Sequence, residues 1–292
     1  MLLSNNTIKF NALCGLLRGV CRKLKILRYY RLRPEFESLR FKEVNRNNLF
    51  VFSIAFNNYF VIEYQVKLIK ANLLGEYTLL IIDSSNVNEV TSKIRQLCDL
   101  NKISYIKVKH FASDQPSDSH GVLLNWVYRN IIERYHIYKF GFLDHDIFPI
   151  EKVNLNERVS NSLVGLHGLK QYRGDRWYLW AGFCFFDLTK LSVKNLDFLP
   201  IKGLDTGGGN WQNLYNHINH DLINCSYDKR NYESSGESSI HQINNFEVID
   251  DCWIHTVNAS GWYIMDEVLE VEKHDKIKRL LDFYFNLYNR NI

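Results

Sequence analysis

Between residues 49 and 143 the chain alternates four short apolar runs with three helix-spaced segments, and this alternation limits its fold more than any other feature. The runs are LFVFSIAF (49–56), YTLLIID (77–83), ISYIKV (103–108) and YKFGFL (138–143). They are rich in β-branched and aromatic residues and lack polar alternation, as strands buried on both faces do. Between them, apolar stripes predict helices: Ile62, Val66, Ile69 and Leu73 over 59–74, then Val90, Ile94 and Leu97 over 88–100. A third follows the polar loop 110–119 and runs to about 135, with Leu123, Leu124, Val127, Ile131 and Ile132 inward. Asn57 and Asn58 are suited to cap the first helix. Units of this kind, joined this closely, predict an α/β fold: an open, mostly parallel sheet with helices on both faces. Ligands of such sheets gather outside the carboxyl ends of the strands. Three of the four strands end there in polar groups: Asn57 and Asn58, Asp83, and the pair Asp144 and Asp146.

After residue 150 the regularity declines. LVGL (163–166), GFCFFDL (182–188) and FEVID (246–250) read as strands. Segment 200–245, rich in Gly, Asn, Ser and His, reads as loops with short helices, and a last helix is predicted over roughly 266–289. With 292 residues, 46% of them hydrophobic, the chain can bury a large core. Only four prolines and no low-complexity tract argue against long disordered linkers. The organisation expected is an N-terminal extension (1–46), a main domain (47–265, with halves 47–150 and 151–265) and a C-terminal helix (266–292). The six cysteines, Cys14, Cys21, Cys98, Cys184, Cys225 and Cys252, form no CxxC pair and lie mostly in apolar runs. They read as reduced core cysteines of a cytoplasmic protein, not a zinc site.

The net charge of +4 is unevenly spread. Residues 1–46 hold eleven Lys/Arg against three acids, a net +8, which leaves −4 for the body. The body has no stripe of basic residues, so nucleic acid is not an expected partner. Residues 10–28 have helical spacing, with Leu13, Leu16, Leu17, Val20, Leu24 and Leu27 on one face and Arg18, Arg22, Lys25 and Arg28 mostly off it. The uncharged stretch is too short to span a bilayer, and no cleavage pattern follows it. Two arrangements satisfy the pattern: a helix packed on the body through its leucines, or an interfacial helix making peripheral contact with an anionic membrane.

The chemistry concentrates in KFGFLDHDIFPI (139–150). In extended backbone Asp144 and Asp146 project to one side, about 6.6 Å apart at the backbone, with His145 turned away. Carboxylates this close call for a cation between or beside them. A hard divalent ion, Mg²⁺ or Mn²⁺, suits oxygen ligands and keeps positions open for phosphate oxygens. The pair therefore reads as a metal–diphosphate clamp, set against an ordinary acidic strand-to-turn pair.

A β/α half ending in FGFLDHDIFP resembles the GT-A-fold glycosyltransferases, which move a sugar from a nucleotide diphosphate donor, and the resemblance covers roughly 49–262. It implies that Asp83, ending LLIID, contacts the donor base, and that Ala55 and Asn57 lie under the nucleotide. In SDSHGVLLNW it places His120, Gly121 and Asn125 near the donor. It gives the metal to Asp146, and the ribose, donor sugar or metal to Asp144. WYLWAGFCFF resembles the acceptor-side segment, with Trp180, Ala181 and Gly182 flooring the sugar site. CWIHTVNASGW resembles the late histidine loop, making His255 a further metal ligand. The acceptor implied is a glycan or a lipid-linked hydroxyl. The paired acid common in inverting members is missing; the nearest candidate base is Asp205 in GLDTGGGNW.

Each of these residues has a plainer reading. Asp83 can cap a loop, His255 can be a hydrogen-bonded structural residue, and Asp205 can cap a glycine turn. Trp177, Trp180, Trp211 and Trp262 suit either core packing or sugar stacking. His217 and His220, with Asp221 beside them, have zinc-ligand spacing but read first as a solvated helical face, and Arg173 and Arg176 as a phosphate contact or a basic turn. Two competing functions stand beside the transferase. One is a haloacid-dehalogenase-type phosphohydrolase using Asp250 and Asp251, to which Phe148 and the three preceding β/α units are foreign. The other is a non-catalytic nucleotide-sugar-binding protein.

Overall fold

The computed structural model describes residues 17, 19–40, 45, 47–193, 195–231, 245–257, 259 and 267–290. Helix α1 covers 19–29, and strand β1 is Phe36–Ser38. The β/α half follows as β2 (Leu49–Ala55), α2 (Tyr59–Asn72), β3 (Tyr77–Asp83), α3 (Asn88–Asn101), β4 (Ser104–Lys107), α4 (Pro116–Val127, continued by one π-helical turn) and β5 (Lys139–Asp144). Then come β6 (Ile147–Pro149), α5 (Leu155–Asn161), β7 (Leu166–Arg173), β8 (Arg176–Asp187), three short 3₁₀ turns, β9 (Tyr227–Asn231), β10 (Asn245–Ile249), β11 (Trp253–His255) and α6 (Glu267–Arg290).

Seven strands form one sheet in the order β1-β4-β3-β2-β5-β8-β7, and β6-β11-β10-β9 form a second, antiparallel sheet. The expected parallel core is present as β4-β3-β2-β5. The sheet as a whole is mixed, not mostly parallel, because β1, β8 and β7 all add antiparallel. The reason is local. Among the described residues no further crossover helix of β/α length follows β5, and β8 returns as one arm of a hairpin with β7. Gly141 lets β8 approach β5, since a Cβ there would fall on the Phe185 ring. Residues 163–165 of LVGL form a turn and only Leu166 enters β7, and β8 begins well before the predicted 182.

Alternation along the central strands divides the core in two. Phe50, Phe52 and Ile54 of β2 and Phe140 and Phe142 of β5 face α4, with Trp126 and Phe198. Leu49, Val51 and Leu143 face α2, α3 and the small sheet, with Phe148, Phe183 and Trp253. Each such fully buried side chain is worth about 1.5–3 kcal/mol relative to exposure, so burial on both faces fixes the register.

The described part of the N-terminal region, α1 and β1, packs on this body. Helix α1 lies on α4, and the Trp126 indole donates to Leu32 O at 3.0 Å. Its contact face is not the leucine face expected: Leu17, Val20, Leu24 and Leu27 are exposed, while Ile26 and Tyr29 are buried. Leu13 and Leu16 lie outside the described residues. Cys21 is exposed, whereas Cys98, Cys184 and Cys252 are buried thiols. Among the described residues no helix is long and apolar enough to cross a membrane.

Candidate metal and donor site

The site is built where the chain leaves the large sheet for the small one. Asp144 ends β5, residues 145–146 form a turn, and β6 starts at Ile147. Residues 145–146 turn instead of continuing the strand, and the two carboxylates have different neighbours: His120 for Asp144, His255 for Asp146. Gln65 of α2, wholly buried, shapes the turn: its amide donates to Asp144 O at 2.7 Å and to Ile147 O at 2.9 Å, and its oxygen accepts from the Ser53 hydroxyl. His145 turns away, as expected, and its Nδ1 accepts the Phe56 N–H at 3.3 Å. Burial holds its imidazole below the usual range.

Asp146 faces the small sheet. Its Oδ2 accepts the Ala259 N–H at 3.0 Å and lies 3.5 Å from His255 Nε2. The pairing of β11 with β6 delivers that histidine, with His255 opposite Ile147 and the Thr256 N–H on Asp146 O. On its other side, His255 Nδ1 sits 2.7 Å from Glu247 Oε2, and Tyr227 donates to Glu247 Oε1. Burial alone would raise the Asp146 carboxyl, but the His255 imidazole and the Ala259 N–H outweigh it and hold it well below the carboxylate range. Burial likewise opposes a charge on His255, yet Asp146 and Glu247 raise it to about 10.

Asp144 faces α4 and β8. Its Oδ1 lies 3.3 Å from His120 Nε2, without hydrogen-bond geometry. Burial and the neighbouring Asp146 raise its pKa, against the pull of the histidines. Gly182 makes room for it: a Cβ at Gly182 would fall on the Trp180 ring and 2.6 Å from Asp144 Oδ2. The half-buried Trp180 ring stands 4.9 Å from the His255 ring. Asp144, Asp146, His120, Trp180, Gly182 and His255 thus gather at the carboxyl end of β5.

Other expected residues belong to the scaffold. Asp83 is wholly buried, with Oδ1 on the Ser85 N–H at 2.7 Å and Oδ2 on the Tyr105 hydroxyl at 2.7 Å, so it presents no oxygen to a base. Ala55 is buried and its carbonyl accepts the Ser84 N–H. Asn57, at φ 49°, ties the β2 loop to the β3 loop: its Oδ1 accepts the Asn86 and Val87 N–H groups, and its amide donates to Asn86. Asn125 donates to Tyr30 and Asp197 and accepts the Phe198 N–H. Gly121 packs α4 on the 198–199 backbone, where a Cβ would meet Phe198 O at 2.6 Å. Ala181 is buried beneath Gly207.

Asp205 is exposed, and its Oδ1 caps the Thr206 N–H at 2.7 Å. Gly207 takes the positive φ that the glycine run predicts, 96°, with its Cα against Leu179 O. This loop is packed, not loose, and it lies along β8 beside the Trp180–Gly182 segment. Trp177 is core; Trp262 lies outside the described residues. His217 and His220 sit on separate 3₁₀ turns.

Sequence reasoning missed three contributors. Glu247 is read only as part of a strand until its pairing with β11 is known. Gln65, a lone amide beside the apolar stripe of α2, carried the one available signal. The third is Phe56 with His110, whose rings stand 4.8 Å apart at the carboxyl ends of β2 and β4.

Among the described residues no three His, Cys, Asp or Glu side chains form a metal cage. A closed cage is not what a diphosphate-bound ion needs. Mg²⁺-type ions are held by one or two protein groups, with phosphate oxygens and water completing the shell. The donor set fits that pattern: a carboxylate and an imidazole nitrogen face each other, and Glu247 on Nδ1 orients His255 as carboxylates orient metal-bound histidines.

No family model and no curated protein matches the chain. Among the solved structures it is similar to are glycosyltransferases. One is a mannosyltransferase of Pyrobaculum calidifontis in complex with GDP-Man and Mn²⁺, at 12% identity over 60% of this chain and 54% of that one, TM-score 0.36. Another is the galactosyltransferase LgtC with donor and acceptor sugar analogues, at 15% identity over 48% and 58%, TM-score 0.33. A third is the bifunctional glycosyltransferase WbbM, at 14% identity over 55% and 33%, TM-score 0.33. The matches therefore span about half, or less, of the solved chains.

Proposed function

We propose that the chain is a metal-dependent glycosyltransferase that moves a sugar from a nucleotide diphosphate donor to a hydroxyl of a glycan or lipid-linked acceptor, in the cytoplasm. The observation that supports it most is the meeting of Asp146 and His255 at the turn that joins the two sheets, with Asp144 and the Trp180–Gly182 floor alongside. Asp146 and His255 would hold Mn²⁺ or Mg²⁺, with Asp144 beside them. When bound, the ion neutralises the negative charge of the departing diphosphate. Asp144 would accept hydrogen bonds from hydroxyls of the ribose or donor sugar. Trp180 offers a ring face to the C–H groups of a sugar. Phe56 and His110 supply a ring surface at the strand ends for the nucleoside, in place of the buried Asp83.

Asp205 is the base we assign for the acceptor hydroxyl. The Thr206 N–H fixes its Oδ1, and the turn carrying it is seated on β8. A carboxylate fixed in this way can take the proton of an attacking oxygen.

The phosphohydrolase reading loses its second acidic pair. Asp250 and Asp251 lie in the β10–β11 turn, at the opposite end of β11 from His255, and Arg158 and His167 face Asp250 there. A thermal-shift screen of nucleotide sugars with and without Mn²⁺ tests the proposal. One donor is expected to raise the melting temperature only with metal, and Asp146→Ala to abolish that rise. A rise with no nucleotide sugar, or an equal rise in the variant, rejects it.

A further inference from the structure

Helix α1 is docked with Arg22 and Lys25 bonded to the body and its leucines outward. Arg22 forks onto Asp118 of α4, Nε to Oδ2 at 2.9 Å and Nη2 to Oδ1 at 2.6 Å. Lys25 donates to Ala112 O at 2.6 Å and lies 4.8 Å over the Phe111 ring. Ile26 is buried, and Tyr29 is buried with its hydroxyl on Lys109 O. Residues 22, 25, 26 and 29 share one helical face. At about 100° per residue, Val20, Leu24 and Leu27 fall on the opposite face, with Leu17 one turn earlier. These four are between 48% and 55% exposed, in a helix whose neighbours have buried far less apolar groups. Lys23 and Arg28 are exposed on the two flanks of the stripe, and Arg31 and Arg33 are exposed just beyond it.

We propose that this face docks on a bilayer rich in anionic lipid, with the aliphatic side chains in the headgroup–acyl boundary and Lys23 and Arg28 toward the phosphates. An apolar stripe flanked by cations is the pattern of interfacial helices. Charge decides against a second copy of the chain as occupant. Residues 1–34 contain no acid, so self-pairing of this face would set Lys23 and Arg28 against their own copies. The inward face of the helix lies on the first turn of α4, two residues before His120, so the membrane-facing stripe is carried by a helix that packs beside the candidate site. If the transferase reading holds, a lipid-borne acceptor meets the site from this side. The docking itself does not depend on that reading, because it is measured without donor.

The test is co-sedimentation of the full chain with vesicles of phosphatidylcholine alone and with about one third phosphatidylglycerol. Expected is binding to the anionic vesicles at least about tenfold stronger than to the neutral ones. Leu24→Gln with Leu27→Gln, and separately Lys23→Glu with Arg28→Glu, should each weaken it by about tenfold or more, with unchanged melting temperatures. Binding that is equal in all variants, or absent from anionic vesicles, overturns the proposal. So does a dimer by light scattering that the leucine variant turns monomeric, which would assign the face to a second copy.

Discussion

Gly182 and Gln65 control the site through space and hydrogen bonding. At Gly182 any Cβ competes with the Trp180 ring and the Asp144 carboxylate. Gly182→Ala is expected to lower kcat/KM by about tenfold or more while costing about 1–3 kcal/mol of stability, the range for a single added methyl in a packed place; steady-state kinetics and thermal melts check both. Gln65→Leu leaves the Asp144 and Ile147 carbonyls without their donor inside the core. Urea unfolding should show a loss of about 1–3 kcal/mol for a buried group left unsatisfied, together with reduced donor binding. At this scale the sequence was only partly readable. D-x-D at a strand end drew attention to Asp144 and Asp146, and both lie at the carboxyl end of β5. Asp83 carried the same strand-end signal, yet Tyr105, 22 residues away, and the Ser85 N–H take up its carboxylate. No linear pattern distinguishes a capped acid from a presented one.

The hairpin of β10 and β11 is the element that completes the site, because it carries both His255 and the Glu247 that orients it. Glu247→Gln keeps the volume and removes the charge that fixes the imidazole. Mn²⁺ affinity, measured by calorimetry or electron paramagnetic resonance, should fall about 10–100-fold, the usual effect of losing such an outer partner; unchanged affinity would remove His255 from the metal site. Legibility of elements followed burial. Strands β2 to β5 are buried on both faces and joined by amphipathic helices, so each declares itself as an unbroken apolar run. The short strands β1, β6 and β11 have three residues each and take their identity from partners elsewhere in the chain. β9, with YDKRN, is too polar to read as a strand without its pairing to β10.

Over the whole molecule, two sheets meet at the 145–146 turn and α6 braces the junction. Lys273 donates to Val257 O at 2.9 Å, steadying the segment whose Ala259 N–H holds Asp146. Tyr64 of α2 hydrogen-bonds Asp282 of α6, and Leu281 is wholly buried. Leu281→Ala should cost about 2–5 kcal/mol in urea unfolding, and a value below about 1 kcal/mol would mean that α6 does not share the core. The mixed sheet was not foreseeable from the β/α repeat, since the reversal of β8 is set by the β7–β8 hairpin and not by the strands before it. The central claim is that Asp146 and His255 hold the cation that serves a nucleoside diphosphate. It is tested most directly by anomalous diffraction from crystals grown with Mn²⁺ and the nucleoside diphosphate that the thermal screen selects. The expected peak lies about 2.0–2.5 Å from an Asp146 oxygen and from His255 Nε2, with phosphate oxygens on its open side. A manganese peak elsewhere, with Asp146 and His255 still facing only each other, contradicts it.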